Sequence, residues 1–167
     1  MGDVSPIIKT LIDRLAHICH RPEFYNKCAM ILTTTSKVGI RHAINTIGAA
    51  VFSWGFHNVA AKGFKISDEL RYDLKRIHGK KISKLAKKFY LSIKNKEYLK
   101  PSLLALIVFK LQQKYQTNPL ISENYDYNYW NSKGWTDPKM MFFMKPTVNR
   151  LKLLISKILS KIICWII

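Results

Sequence analysis

Acidic residues are scarce in this chain of 167: ten Asp and Glu stand against 28 Lys and Arg. No pair of carboxylates stands out for general acid–base work, and no Ser-His-Asp or Cys-His set for nucleophilic catalysis. Cysteine is as sparse. Cys19, Cys28 and Cys164 are odd in number, far apart and without C-x-x-C spacing, which argues against a disulfide framework and a zinc site and for a reduced, cytoplasmic protein. His17, His20, His42, His57 and His78 are scattered, with no acid or cysteine at metal-ligand spacing. The first residues lack a basic stretch followed by an apolar one, so no secretory signal is expected. No internal repeat is found, and no Walker A loop. Any redox or transfer chemistry should therefore belong to a bound cofactor.

What the chain has is apolar bulk, 48% of residues, enough for one compact domain with an extension. It also has a formal charge of +18, which attracts phosphate-bearing partners: nucleotides, nucleic acid or anionic lipid. Ser5-Pro6 followed by Ile7, Ile8, Leu11, Ile12, Leu15 and Ile18 predicts a short capped helix. Residues 26–33 carry a continuous apolar run, the pattern of a strand buried on both faces of a parallel sheet, which stops in the loop Thr33-Thr34-Thr35-Ser36-Lys37-Val38-Gly39. Ile40, Ala43, Ile44, Ile47, Ala50, Val51 and Trp54 mark an amphipathic helix with Gly55 as its stop, and residues 56–64 read as a second strand. Strand, helix, strand over this length is a βαβ unit.

Ser67-Asp68-Glu69 then offers a cap for a long helix through Leu70, Leu74, Ile77, Leu85, Phe89 and Ile93. Its other face carries Lys75, Arg76, Lys80, Lys81, Lys84, Lys87 and Lys88. Such a face is ordinarily solvated; no nucleic-acid-reading element accompanies it, so nucleic acid is not expected as a partner. Pro101 interrupts, and Ser102 to Tyr115 restarts as an apolar helix. The expected division is a partial α/β domain over 1–116, an ordered aromatic-rich extension over 117–146 with little regular period, and a basic amphipathic helix over 147–167.

In open α/β sheets ligands bind beyond the carboxyl ends of the strands, where helix N-termini present free N–H groups. The loop of residues 33–39 has that place, with four consecutive hydroxyls and a glycine that can donate to a phosphate or a flavin edge, or serve only to cap the helix.

Gly2-Asp3-Val4-Ser5-Pro6, the run Lys9-Thr10-Leu11-Ile12-Asp13-Arg14-Leu15, His20-Arg21-Pro22, Lys27, and Thr33-Thr34-Thr35 with Gly39 together resemble the third-strand loop through the fourth strand of the NADPH-dependent FMN reductase-like group of flavodoxin-fold proteins. Tyr129-Trp130 and Gly134-Trp135 resemble the C-terminal extension of a bacterial branch of that group. The resemblance implies a flavodoxin-like parallel sheet and an oxidoreductase in which FMN takes hydride from NAD(P)H. It implies Gly2, Asp3 and Ser5 on one edge of the isoalloxazine and Thr33, Thr34, Thr35, Ser36, Val38 and Gly39 on another, with Lys9 and Asp13-Arg14 supporting the loop. The group's first strands and phosphate loop have no counterpart before Gly2. The chain is therefore expected to be a truncated form that binds flavin poorly unless the missing half, or a second subunit, completes the site.

Between Lys139 and Ile167 there are six basic residues, Lys139, Lys145, Arg150, Lys152, Lys157 and Lys161, and no acid. On a helix, Arg150, Lys152, Ser156, Lys157, Ser160 and Lys161 leave an apolar arc of Leu151, Leu154, Ile155, Ile158, Leu159, Ile162, Trp165 and Ile166. Such a helix suits the surface of an anionic membrane, placing the protein on its inner face, or the arc packs on the domain or a second subunit.

Overall fold

The structure, a computed structural model, describes residues 3–36, 38–66, 73–95, 100–118, 124–144 and 148–166. Pro6 has its φ fixed in the helical range and no N–H to satisfy, so a helix starts on it: α1, Pro6–Arg14. A short 3₁₀ turn, Ala16–Ile18, follows. Next come β1, Cys28–Thr35, the helix α2, Ile40–Ser53, and β2, His57–Lys65. The strands pair in parallel, Cys28 opposite His57 and Thr35 opposite Lys65, with an irregularity between Ala29 and Met30. A parallel pair cannot be closed by a hairpin, so α2 carries the chain back. The helix α3, Leu74–Lys94, completes an α/β unit whose sheet has two strands among the described residues. The expected cap at Ser67-Asp68-Glu69 and Leu70 lie outside the described residues.

Strand side chains alternate between faces. Ile31 is buried toward α2, where a Cβ on Gly48 would lie 3.9 Å from its Cδ1. On the other face the Cys28 thiol lies 3.6 Å from the Ser92 carbonyl of α3, and Phe64 meets His78 edge-on at 5.0 Å. This second cover is thinner than the apolar run predicts: Leu32 stays 47% exposed. The end of α2 organises the residues before β1. Trp54 is buried with Ile18 and Ala50, and its indole N–H donates to the Leu15 carbonyl at 3.1 Å. Phe24 stacks on Phe56 at 4.6 Å, and its N–H donates to the Trp54 carbonyl at 3.0 Å. Gly55 ends α2 as expected. Its φ is +92°, and a Cβ there would sit 2.7 Å from that of Pro22.

The chain divides into two compact units, Met1–Lys96 and Glu97–Ile167. In the second, the Ser102 hydroxyl accepts the Ala105 N–H at 3.0 Å and starts α4, Leu103–Gln116. The helices α5, Tyr125–Ser132, and α6, Arg150–Ile166, follow. The sequence groups α4 with residues 1–116; its packing is with α5 and α6. The sequence also shows little period where α5 lies. That helix is short, buries Trp130, and is set by Asn124, whose side chain accepts the Asp126 N–H at 3.2 Å, and by Gly134 at φ +69°. The centre of the unit is Phe109, fully buried, with ring centroids of Trp130 at 5.5 Å and Phe143 at 4.9 Å; Trp135 lies 5.4 Å from Trp130. Trp130, Trp135 and Phe143 of the aromatic-rich stretch thus pack in one cluster on Phe109. Gln113, also buried, donates to the carbonyls of Trp135 at 2.6 Å and Asp137 at 2.8 Å, which fixes the turn after α5 onto α4.

The helix α6 begins at Arg150 with the Asn149 side chain accepting the Lys152 N–H at 2.8 Å. Its buried stripe is Ser156 and Ser160, whose hydroxyls donate back to Leu153 and Lys157 carbonyls at 2.8 and 3.0 Å. Small side chains let the axes of α4 and α6 approach. Of the apolar arc, Leu151, Leu154, Ile158, Ile162 and Trp165 are exposed.

Two substitutions test these contacts. A Cβ on Gly63 would lie 2.1 Å from Ile40 Cγ2. Gly63→Ala is expected to destabilise by about 1–3 kcal/mol, the usual cost of overpacking, and by clearly less in an Ile40→Ala background, measured by urea unfolding. Phe109→Ala should cost about 3–5 kcal/mol, followed in urea by tryptophan fluorescence.

Candidate functional site

Beyond the carboxyl end of β1 the chain does not turn at Thr33, as the apolar run suggests. The ladder continues to Thr35, whose carbonyl accepts the Ile66 N–H at 2.9 Å. The threonines are therefore strand residues. By alternation Thr33 and Thr35 lie on the α2 face and Thr34 on the other, exposed, so the consecutive hydroxyls do not converge on one ligand. The Thr35 hydroxyl donates to the Val38 carbonyl at 2.9 Å and closes the turn. Val38 is 72% exposed, Ser36 is exposed, and Gly39 at φ +98° leads into α2. Gly39 brings no side chain of its own to cap α2, whose first turn directs its backbone N–H groups toward this end.

Asp3 comes to the same helix. Its carboxylate accepts the Val4 N–H at 2.7 Å, the Lys9 ammonium at 2.7 Å and the Thr46 hydroxyl at 3.2 Å, with the His42 ring at 3.7 Å. His42 and Thr46 are on the first two turns of α2, so the segment before α1 and the loop after β1 are gathered about one helix end. The hydrogen bond from Lys9, and next that from Val4, hold the Asp3 carboxyl at about 2, below its ordinary 3.8. Lys9 holds this segment through its ion pair with Asp3. Ser5 is exposed at the start of α1, and its carbonyl accepts the Lys9 N–H at 3.1 Å. Gly2 and Lys37 lie outside the described residues.

These groups suit one edge of a flat heterocycle: backbone N–H groups at the start of α2 facing carbonyl oxygens of a ring. They do not suit the phosphate of FMN. Asp3 is an ionised carboxylate that already engages Lys9, and no glycine-spaced strand-to-helix loop lies among the described residues. No family model, curated protein or solved structure matches the chain. Among the described residues no three His, Cys, Asp or Glu side chains are grouped to hold a metal ion, and the three cysteines are free thiols.

The second unit holds a feature that the sequence pattern hides. Lys110 and Lys114 sit on α4, a helix that reads as apolar, and line a groove with Lys157 and Lys161 of α6. The Lys110 ammonium donates to Gln113 Oε1 at 2.7 Å, to the Pro138 carbonyl at 3.2 Å and to the Met140 carbonyl. Burial, and then the charge of Lys157, push its pKa down, with Asp137 opposing. The available signal was the i, i+4 spacing of Lys110 and Lys114.

The Asp3 tether has a definite pH range. A carboxyl held below its unfolded-state value contributes order that is whole above about pH 4 and is lost as the pH falls through about 2. The protection factor for amide hydrogen exchange at Val4 and Lys9, the intrinsic rate divided by the observed one, should therefore hold from neutrality to about pH 4 and fall as the pH drops through about 2. Asp3→Asn should show the low protection throughout.

Proposed function

We propose that the α/β unit supplies one edge of the isoalloxazine site of a flavodoxin-like, FMN-dependent NAD(P)H oxidoreductase. The observation that carries this reading is the Asp3 tether, which brings residues 3–5 to the helix end that also receives the chain leaving β1 after Thr35. The family resemblance assigns these two stretches to two edges of one ring. The parallel β1-α2-β2 unit, with both stretches at the carboxyl end of β1, supports it in the way ligand sites are placed in open α/β sheets. When bound, the flavin would supply the hydride chemistry with the nicotinamide nucleotide. The part of this chain is to hold the ring edge with the first-turn N–H groups of α2. The edge of β1 away from β2 is open among the described residues, and a further strand there, from a partner half or a second subunit, would bring the remaining walls.

Titration of the protein with FMN and with lumiflavin, the ring without ribityl phosphate, tests this. Both should bind weakly and within about threefold of each other, since only the ring is recognised, and Gly39→Val should weaken both by about fivefold or more through its left-handed backbone. A preference for FMN of about tenfold or more would mean a phosphate cradle and overturn the ring-edge reading. Absence of saturable binding by either compound would sink it outright.

A further inference from the structure

Two features of the second unit lie side by side on α6. The first is the outward stripe of Leu151, Leu154, Ile158, Ile162 and Trp165, with Leu151 at 62% and Trp165 at 88% exposure. Residues four, seven and eleven apart recur on one line of a helix, and this is the line opposite the buried Ser156 and Ser160. The second is a basic border. Arg150, Lys157 and Lys161, spaced by seven and four, run along one side of the stripe. Beyond them opens the groove of about 600 Å³ lined by Lys110, Lys114, Lys157 and Lys161, with Gln113 and Thr117. A second hollow of about 560 Å³, lined by Arg150, Lys157, Met141 and Leu154, follows the same border toward the start of α6.

We infer that the helical unit docks on an anionic membrane, α6 lying in the interface with its stripe among the acyl chains and the lysine groove taking lipid phosphates. Four observations select this occupant. No helix among the described residues is long and apolar enough to cross a membrane, so α6 would lie along the surface instead of spanning it. Residues 139–167 hold six basic side chains and no acid, which makes a second copy a poor occupant: joining two stripes would bring like-charged borders together with nothing to neutralise them. The groove lining carries four ammonium groups and no carboxylate, the complement of a phosphate-bearing surface. A Trp at the end of the stripe suits the headgroup level, where an amphipathic ring is at home. This goes beyond the flavin reading and does not depend on it.

Flotation of the full chain with vesicles of phosphatidylcholine, alone or with a one-third admixture of phosphatidylglycerol, tests it. Binding should require the anionic lipid. Ile158→Asp changes an outward side chain, so far-UV circular dichroism should be unaltered while binding falls about tenfold or more. Lys157→Gln and Lys161→Gln should each weaken binding about fivefold. Equal flotation with phosphatidylcholine alone, or binding unchanged in Ile158→Asp, would overturn the proposal. Release by inorganic phosphate beyond that by chloride at matched ionic strength would assign the lysines to a free anion. A dimer in solution that Ile158→Asp dissociates would assign the stripe to a second copy. Either result would likewise overturn it.

Discussion

Parallel pairing of β1 with β2 constrains the first unit more than any other interaction. It requires a return crossing, which α2 makes, and so puts the start of α2 just beyond the last residue of β1. Gly39 has the positive φ that lets the chain enter the helix there, and as the cap residue it brings no side chain to the helix end. The other end of α2 plays the complementary part, where Trp54 and the positive-φ Gly55 hold the irregular residues before β1 through Leu15, Phe24 and Pro22. One helix thus fixes both the entry to the sheet and the open rim at its carboxyl end. Asp3 then ties the segment before α1 to that rim.

The second unit is built on a different constraint. Its aromatic side chains would be costly to leave in water, and they cluster on Phe109. Burying Trp130 and Trp135 brings with them the backbone of a tight turn, and its carbonyls need donors. Gln113 answers two of them and Lys110 two more, at Pro138 and Met140. The polar residues of α4 are thus the means by which an apolar helix accepts an irregular neighbour. They also place Lys110 at the floor of a basic groove.

Much of this architecture is legible in the residues because it rests on local pattern. Ser5-Pro6, the apolar run into Thr33, the helical period from Ile40 to Trp54 and Gly55 each state a start, a period or a stop, and α1, β1, α2 and β2 follow. Other features depend on facts that no local window contains. The threonines read as one row of hydroxyls, but the pairing of Thr34 with Phe64 and Thr35 with Lys65 extends the strand and divides them between faces. The helix α5 has few strong helix formers and one buried side chain, so its period is too weak to see. For α6 the pattern shows two faces and cannot say which is inward; the answer depends on how closely α4 approaches. Two serines permit that approach, and the apolar face is left outside.

The scarcity of acids has a structural consequence. Asp3 with Lys9 and Asp73 with Arg76 form ion pairs on the surface of the first unit. The lysines that reach into the fold find carbonyls: Lys88 donates to Val59 at 2.7 Å, Lys152 to Pro101 at 2.6 Å, and Lys110 to the turn after α5. A carbonyl satisfies the hydrogen bond of an ammonium group without cancelling its charge. Each of these contacts therefore stabilises the fold while leaving a positive field to be met from outside. Where such lysines are gathered, as between α4 and α6, burial and then repulsion from Lys157 lower the proton affinity of Lys110. An anion entering the groove would relieve that repulsion, so the same chemistry that lets the unit fold with few acids gives it a reason to bind one from elsewhere.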